Sequence, residues 1–122
     1  MRNNESEEMY LETIWRLRAR KTTVRSVDIV EELGYAKSSV SRAVNLLIDK
    51  GYVTMDASGD LSLTDMGQIR ASGVYERHLV LTRLLRSIGA GEELAEANAC
   101  RIEHVISDEM FELIKDYTKK NS

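Results

Sequence analysis

Cys100-Arg101-Ile102-Glu103-His104 sets a thiol, a carboxylate and an imidazole at i, i+3 and i+4, the spacing that gathers side chains on one face of an α-helix. Each is a ligand for first-row transition metals. The mixture of soft sulfur with nitrogen and oxygen suits Fe(II), Mn(II), Co(II), Ni(II) or Zn(II) better than Mg(II) or Ca(II). Three donors from one helix leave coordination positions for others. The same stretch also fits a small buried thiol beside a solvated or capping Glu-His pair, because an unbridged cysteine usually packs as a small hydrophobe. Met9 and Glu12, three residues apart, put a thioether and a carboxylate on one side of an opening helix, where they could meet a metal held by another helix. Outside such a site they are core filler and a surface charge.

These residues sit in a chain of 122 residues, 43% hydrophobic and 30% charged, which is ordinary for a globular protein. With no proline, seven glycines, one Phe and one Trp, the composition favours helices broken by a few turns over a sandwich or barrel. The single cysteine cannot form an internal disulfide, so Cys100 is a thiol in a reducing compartment or a ligand. The opening residues lack the apolar run of a signal peptide, and no window reaches the ~18 apolar residues of a membrane span. The expectation is a cytoplasmic protein with no membrane partner. The net charge of −3 argues against a general positive field for coating nucleic acid. Residues 1–64 carry nine Lys/Arg against ten Asp/Glu and residues 65–122 eight against ten, so any nucleic-acid footprint is a local patch.

Hydrophobic periodicity orders the elements. A first helix over about Glu5–Lys21 carries acid in its opening turn and Arg18, Arg20 and Lys21 at its end, complementing the helix dipole. Ser26 reads as the N-cap of a short helix over Val27–Leu33, and Gly34 ends it by taking a positive φ. A second helix follows from about Lys37 to Lys50, and two short helices around a glycine-containing turn form a helix-turn-helix. The outward face of the second helix is Lys37, Ser38, Ser39, Ser41, Arg42 and Asn45. Its small residues permit close approach to base edges in a major groove, while Arg42, Lys37 and the serines can bond guanine or phosphate. Tyr52–Met55 and Asp60–Leu63 read as two strands around Ser58-Gly59, a hairpin that serves as a wing.

Thr64 caps a long helix to about Ser87, broken by Gly89-Ala90-Gly91. A helix over about Glu92–Val105 carries the opening triad, and a last one over about Ser107–Lys119 begins with a serine cap and acid in its first turn. The apolar residues of these helices exceed what one small unit can bury, which points to a partner subunit and a twofold dimer. The fold expected is mainly α, a winged helix-turn-helix over 1–64 followed by a helical dimerisation and metal-binding domain over 65–122.

The chain resembles the diphtheria-toxin-repressor family of metal-dependent transcriptional repressors. Glu8-Met9-Tyr10-Leu11-Glu12-Thr13-Ile14-Trp15, Lys37-Ser38-Ser39-Val40-Ser41, Leu63-Thr64-Asp65-Met66-Gly67, Arg77-His78 and Ala99 to Glu109 carry the resemblance, in order along nearly the whole chain. It implies a homodimer that binds palindromic operator DNA when loaded with Fe(II) or Mn(II) and so controls metal-homeostasis genes. The DNA-activating site of the iron-responsive branch is implied at Met9, Cys100, Glu103 and His104. Glu12 and His78 match positions of the manganese-responsive branch, and Glu96 stands where the iron branch has a second-site histidine. Thr82, one turn beyond His78, occupies a position usually given to a carboxylate. The resemblance further implies the short form of the family, without an SH3-like third domain.

Met9 and Cys100 favour Fe(II), and Glu12 favours Mn(II); the ligand chemistry also admits Zn(II), Co(II) and Ni(II). Bridging the first helix to the helices bearing His78, Cys100, Glu103 and His104, one ion would hold the two recognition helices near one DNA turn, ~34 Å, apart. A coupling of ~1–3 kcal/mol would then strengthen DNA binding roughly 5- to 150-fold. An enzyme is not expected: only two histidines are present, and no nucleophile elbow, phosphate loop or ordered Ser-His-Asp set is visible, so no organic substrate is implied. The competing reading is a metal-independent winged-helix regulator in which Cys100 senses oxidation.

Overall fold

A computed structural model describes the backbone of residues 3–121 and the side chains of residues 6–121. Glu5, assigned above to the acidic opening turn, therefore lies outside the described side chains. The element order is α1 (Asn3–Arg20), α2 (Ser26–Leu33), α3 (Lys37–Asp49), β1 (Val53–Met55), β2 (Leu61–Leu63), α4 (Asp65–Ser87), α5 (Glu92–Ile102) and α6 (Asp108–Lys120). Two compact units are present, Arg2–Ser72 and Gly73–Ser122, and the division falls within α4.

In the first unit, α1 buries Tyr10, Leu11, Ile14 and Leu17 along one stripe, and α3 does the same with Val40, Val44 and Leu47. These close on Ile29 of α2, Val24 of the preceding loop, Val53 and Leu61 of the hairpin, and Ala71 of α4, forming a single apolar core. The strands pair antiparallel with Val53 opposite Leu63 and Met55 opposite Leu61. Each is one residue shorter than the sequence pattern suggests, because Tyr52 and Asp60 are drawn into turn contacts: the Tyr52 carbonyl accepts from Thr64 N–H, and the Asp60 carboxylate accepts from Arg18 and from Val24 N–H.

Gly34 closes α2 in the left-handed region at φ 73°, donating to the Val30 carbonyl at 2.8 Å. The start of α2 departs from expectation. Ser26 is the first helical residue, not the N-cap, because the Asp28 carboxylate accepts the Arg25 amide at 2.8 Å and performs the capping task from inside the first turn. Thr64 does cap α4, accepting from Gly67 N–H at 3.1 Å, and its hydroxyl donates to the Gly51 carbonyl at 2.7 Å. Gly67 is required there: a Cβ would stand 2.1 Å from the Tyr52 carbonyl oxygen.

In the second unit, Val74, Val80 and Leu81 of α4, Ala95 and Ala99 of α5 and Phe111 of α6 are buried. Ser107 caps α6 by accepting from Met110 N–H at 3.1 Å, as its sequence position suggests. Many large apolar residues stay on the surface, among them Leu79, Ile88, Leu94, Met110, Leu113 and Tyr117. None of the described helices is long and apolar enough to cross a membrane.

Candidate metal centre and nucleic-acid interface

α5 ends three residues earlier than its periodicity suggests, at Ile102, so Glu103 and His104 lie in the turn that follows. Glu103 keeps helical dihedrals, φ −59° and ψ −25°, and its amide still donates to the Ala99 carbonyl at 2.9 Å. Beyond it the chain tightens, with Val105 and Ile106 both donating to the Ile102 carbonyl. The reason comes from α4: the Arg77 guanidinium donates to the Glu103 and Ile106 carbonyls at 3.2 and 3.1 Å, also pairs with Asp108, and lies 5.5 Å from the Phe111 ring centre. Carbonyls left over at a helix end need donors, and Arg77 supplies them from a neighbouring helix.

This ending sets the chemistry of the site. Glu103 is fully buried, and His104 has a side chain only 2% exposed. His78, on the stretch of α4 that belongs to the same unit, is buried too and brings its Nδ1 to 2.8 Å from Glu103 Oε1. The His104 Nε2 lies 3.3 Å from Glu103 Oε2. One carboxylate thus sits between two imidazoles with water excluded. Glu103 Oε2 receives no aligned hydrogen bond from any described residue. A buried carboxylate oxygen in that condition is costly, and a cation is the ligand that would satisfy it. The oxygen and nitrogen donors fit a divalent transition metal, with the carboxylate making Mn(II) and Fe(II) as acceptable as Zn(II).

The remaining expected ligands are placed differently. Cys100, on the last turn of α5, is exposed and outside any disulfide, and Glu96, one turn earlier, is exposed as well. Cys100 is exposed while Glu103 and the His104 side chain are buried, although the backbone stays helical from Cys100 through Glu103. Thr82 Oγ1 is buried and makes no hydrogen bond among the described residues, and a neutral hydroxyl does not replace a carboxylate there. Met9 and Glu12 belong to α1 in the other unit. Met9 Sδ accepts from Tyr35 Oη at 3.2 Å, and Glu12 is 5% exposed and paired with Arg16 at 3.1 Å.

On α3, Lys37, Ser38, Ser41, Arg42 and Asn45 are exposed, and Ser39 is half-buried. Arg77 escaped sequence reasoning as an organiser of the site; its place beside His78 was visible, but which carbonyls it would cap depends on where α5 ends.

The described residues thus form a winged helix-turn-helix followed by a helical unit with a buried Glu-His cluster. The chain belongs to the iron dependent repressor family: the family's N-terminal DNA binding domain matches residues 4–60, and its metal binding and dimerisation domain matches residues 64–121. It is 32% identical over 120 residues to the diphtheria toxin repressor of Corynebacterium diphtheriae, covering 94% of this chain and 53% of that protein. It is 34% identical over 111 residues to the HTH-type transcriptional regulator MntR of Lysinibacillus sphaericus, covering 91% and 80% respectively. A manganese-dependent transcriptional repressor solved in complex with manganese matches at a TM-score of 0.85 and 25% identity, over 93% of this chain and 52% of that one. The chain spans about half the length of the Corynebacterium relative and of that structure.

Proposed function

We propose that the chain is a metal-activated transcriptional repressor that binds operator DNA as a homodimer, with Fe(II) or Mn(II) as its activating ion and metal-homeostasis genes as its targets. The observation that carries this reading is the buried Glu103 carboxylate set between His78 and His104. Glu103 and His104 are assigned as ligands, and His78 as ligand or as the group that orients Glu103 through its Nδ1 contact. Cys100, Met9 and Glu12 complete the set on the strength of the sequence, and Glu96 is assigned to a second, weaker position. When bound, the cation supplies the positive charge that the Glu103 carboxylate lacks. Arg77 holds the turn bearing Glu103 and His104 in place by capping α5.

The first unit does the reading. Lys37, Ser38, Ser39, Ser41, Arg42 and Asn45 of α3 face the major groove, with Arg42 and Lys37 meeting guanine or phosphate and the serines permitting close approach. Dimerisation through the second unit covers its exposed apolar residues and presents two copies of α3 to the half-sites of a palindrome. A cytoplasmic location, a domain boundary near residue 64 and the absence of an enzymatic reaction accord with this role.

The test is to select duplex DNA from a random pool with the chain in Mn(II), then measure binding to the selected sequence in Mn(II), in anaerobic Fe(II) and in chelator. Tighter binding with either metal is expected, and equal binding in metal and chelator overturns the reading. Glu103→Ala is expected to abolish the metal response while leaving the far-ultraviolet circular dichroism unchanged.

A further inference from the structure

Within the Arg2–Ser72 unit the recognition helix α3 is held against α1 at both of its ends, and the two holds differ in kind. At the C-terminal end Lys50, the C-cap of α3, donates to the Glu7 carboxylate of α1, and Arg70 of α4 donates to the same carboxylate at 2.9 Å. Glu7 is buried, and the Arg70 guanidinium lies 4.9 Å from the ring centre of Tyr52, just beyond α3. At the N-terminal end Tyr35, in the turn between α2 and α3, donates its hydroxyl to Met9 Sδ of α1 at 3.2 Å. Its ring meets Tyr10 edge-on, with centres 6.2 Å apart and planes at 62°, and the residue stays 43% exposed.

Charge-assisted hydrogen bonds are roughly twice as strong as neutral ones, and a thioether is a weak acceptor. The C-terminal end of α3 is therefore pinned, and its N-terminal end is only latched. Tyr35 stands directly before Ala36, the N-cap of α3, whose carbonyl accepts from Val40 N–H at 3.1 Å. A displacement of Met9 thus reaches the first turn of α3 through the Tyr35 hydroxyl, while Lys50 and Glu7 keep the other end in place. The thioether accepts from Tyr35 with one lone pair and keeps a second for a cation, so Met9 can serve both at once.

We propose that Tyr35 is a positioning residue that couples Met9 to the recognition helix. A Met9 side chain fixed by coordination fixes, through the Tyr35 hydroxyl, the start of α3, and with it the angle at which α3 meets a groove. This assignment rests on the metal and DNA reading given above. No periodicity in the sequence points to Tyr35, because its contact with Met9 spans 26 residues.

The experiment compares wild type, Tyr35→Phe, Met9→Leu and the double variant. Tyr35→Phe keeps the ring against Tyr10 and removes only the hydroxyl. In the metal-free chain, amide hydrogen exchange followed by NMR should quicken about threefold at Val40 in Tyr35→Phe and stay unchanged at Tyr52, whose amide donates to the Leu47 carbonyl at the pinned end. Tyr35→Phe made in the Met9→Leu background should add nothing further, because the acceptor is already gone. On duplex selected from the random pool, the ratio of affinity at saturating Mn(II) to affinity in chelator should fall about three- to fivefold in Tyr35→Phe. Equal exchange at Val40, or exchange quickened alike at Tyr52, overturns the proposal. So does an additive effect in the double variant. If wild type binds DNA equally in metal and in chelator, the functional reading falls together with this one; if wild type responds to metal and Tyr35→Phe responds as strongly, only this one falls.

Discussion

The two units of this chain settle their buried carboxylates in different ways. The N-terminal unit closes an apolar core, pairs its buried Glu7 carboxylate with two cations, Lys50 and Arg70, and leaves Val27, Leu46, Met66 and Ile69 exposed. The C-terminal unit buries a carboxylate and two imidazoles and leaves Leu79, Ile88, Leu94, Met110, Leu113 and Tyr117 in the open. In the proposed function the N-terminal unit must keep its shape to match a groove, and its apolar core is complete within one chain. In the proposed function the C-terminal unit registers something outside itself, and it offers two features for this, an apolar surface that a partner would cover and a carboxylate that a cation would neutralise.

The largest expected effects fall on the N-terminal unit. Leu47→Ala, at a fully buried position of α3, should cost about 2–5 kcal/mol in urea or guanidinium unfolding through lost burial and the cavity left behind. Gly67→Ala meets the Tyr52 carbonyl and should cost roughly 1–3 kcal/mol by the same measurement, because backbone must move to admit the methyl group. Small losses in either variant would mean that the N-terminal core is not complete within one chain.

Next comes the proposed metal centre, where the readout is ligand affinity. Glu103→Gln keeps the shape and removes the charge, so Mn(II) binding measured by titration should fall by about 100-fold or more while the unfolding midpoint holds or rises. A drop in stability as large as that of Leu47→Ala would mean that the carboxylate is structural. At the exposed apolar surface, the double change Ile88→Ser and Leu94→Ser is expected to weaken self-association in sedimentation velocity and to leave monomer stability within about 0.5 kcal/mol.

The smallest effect is a pH dependence of the N-terminal unit. Burial by itself raises the Glu7 carboxyl, but the hydrogen bonds and charges of Lys50 and Arg70 outweigh it and hold the group below its ordinary value of 4.5. A carboxyl lowered in the folded state adds stability at pH values above the unfolded value and loses it as pH falls through the folded one. Glu7→Gln should therefore narrow its difference from wild type as the solution is acidified below about pH 4.5. A difference constant from pH 7 to pH 3 would show that the pair with Lys50 and Arg70 adds nothing.

Much of this was legible in the residues. The helix-turn-helix was marked by the stripe of Val40, Val44 and Leu47 and by Gly34, whose positive φ follows from its lacking a Cβ. Thr64 and Ser107 announced their caps, since a short hydroxyl at that place satisfies an amide that the helix cannot. Less legible were features set by a partner distant in sequence. Ser26 looked like a cap until Asp28 took its task, and α5 looked longer until Arg77, from α4, took its final carbonyls.

By itself, then, the sequence determined which segments are helical, which face of each is apolar, and that Glu103 and His104 bring a carboxylate and an imidazole to adjacent positions; these depend on spacing along one chain and on side-chain chemistry. Tertiary structure decided which donors become buried neighbours. His78 reaches Glu103 across 25 residues and Tyr35 reaches Met9 across 26, and no periodicity encodes such pairings. The physical reason is that burial and charge compensation belong to the packed arrangement and not to any single residue, so the same carboxylate can be paired with cations or set between imidazoles according to what the fold brings beside it.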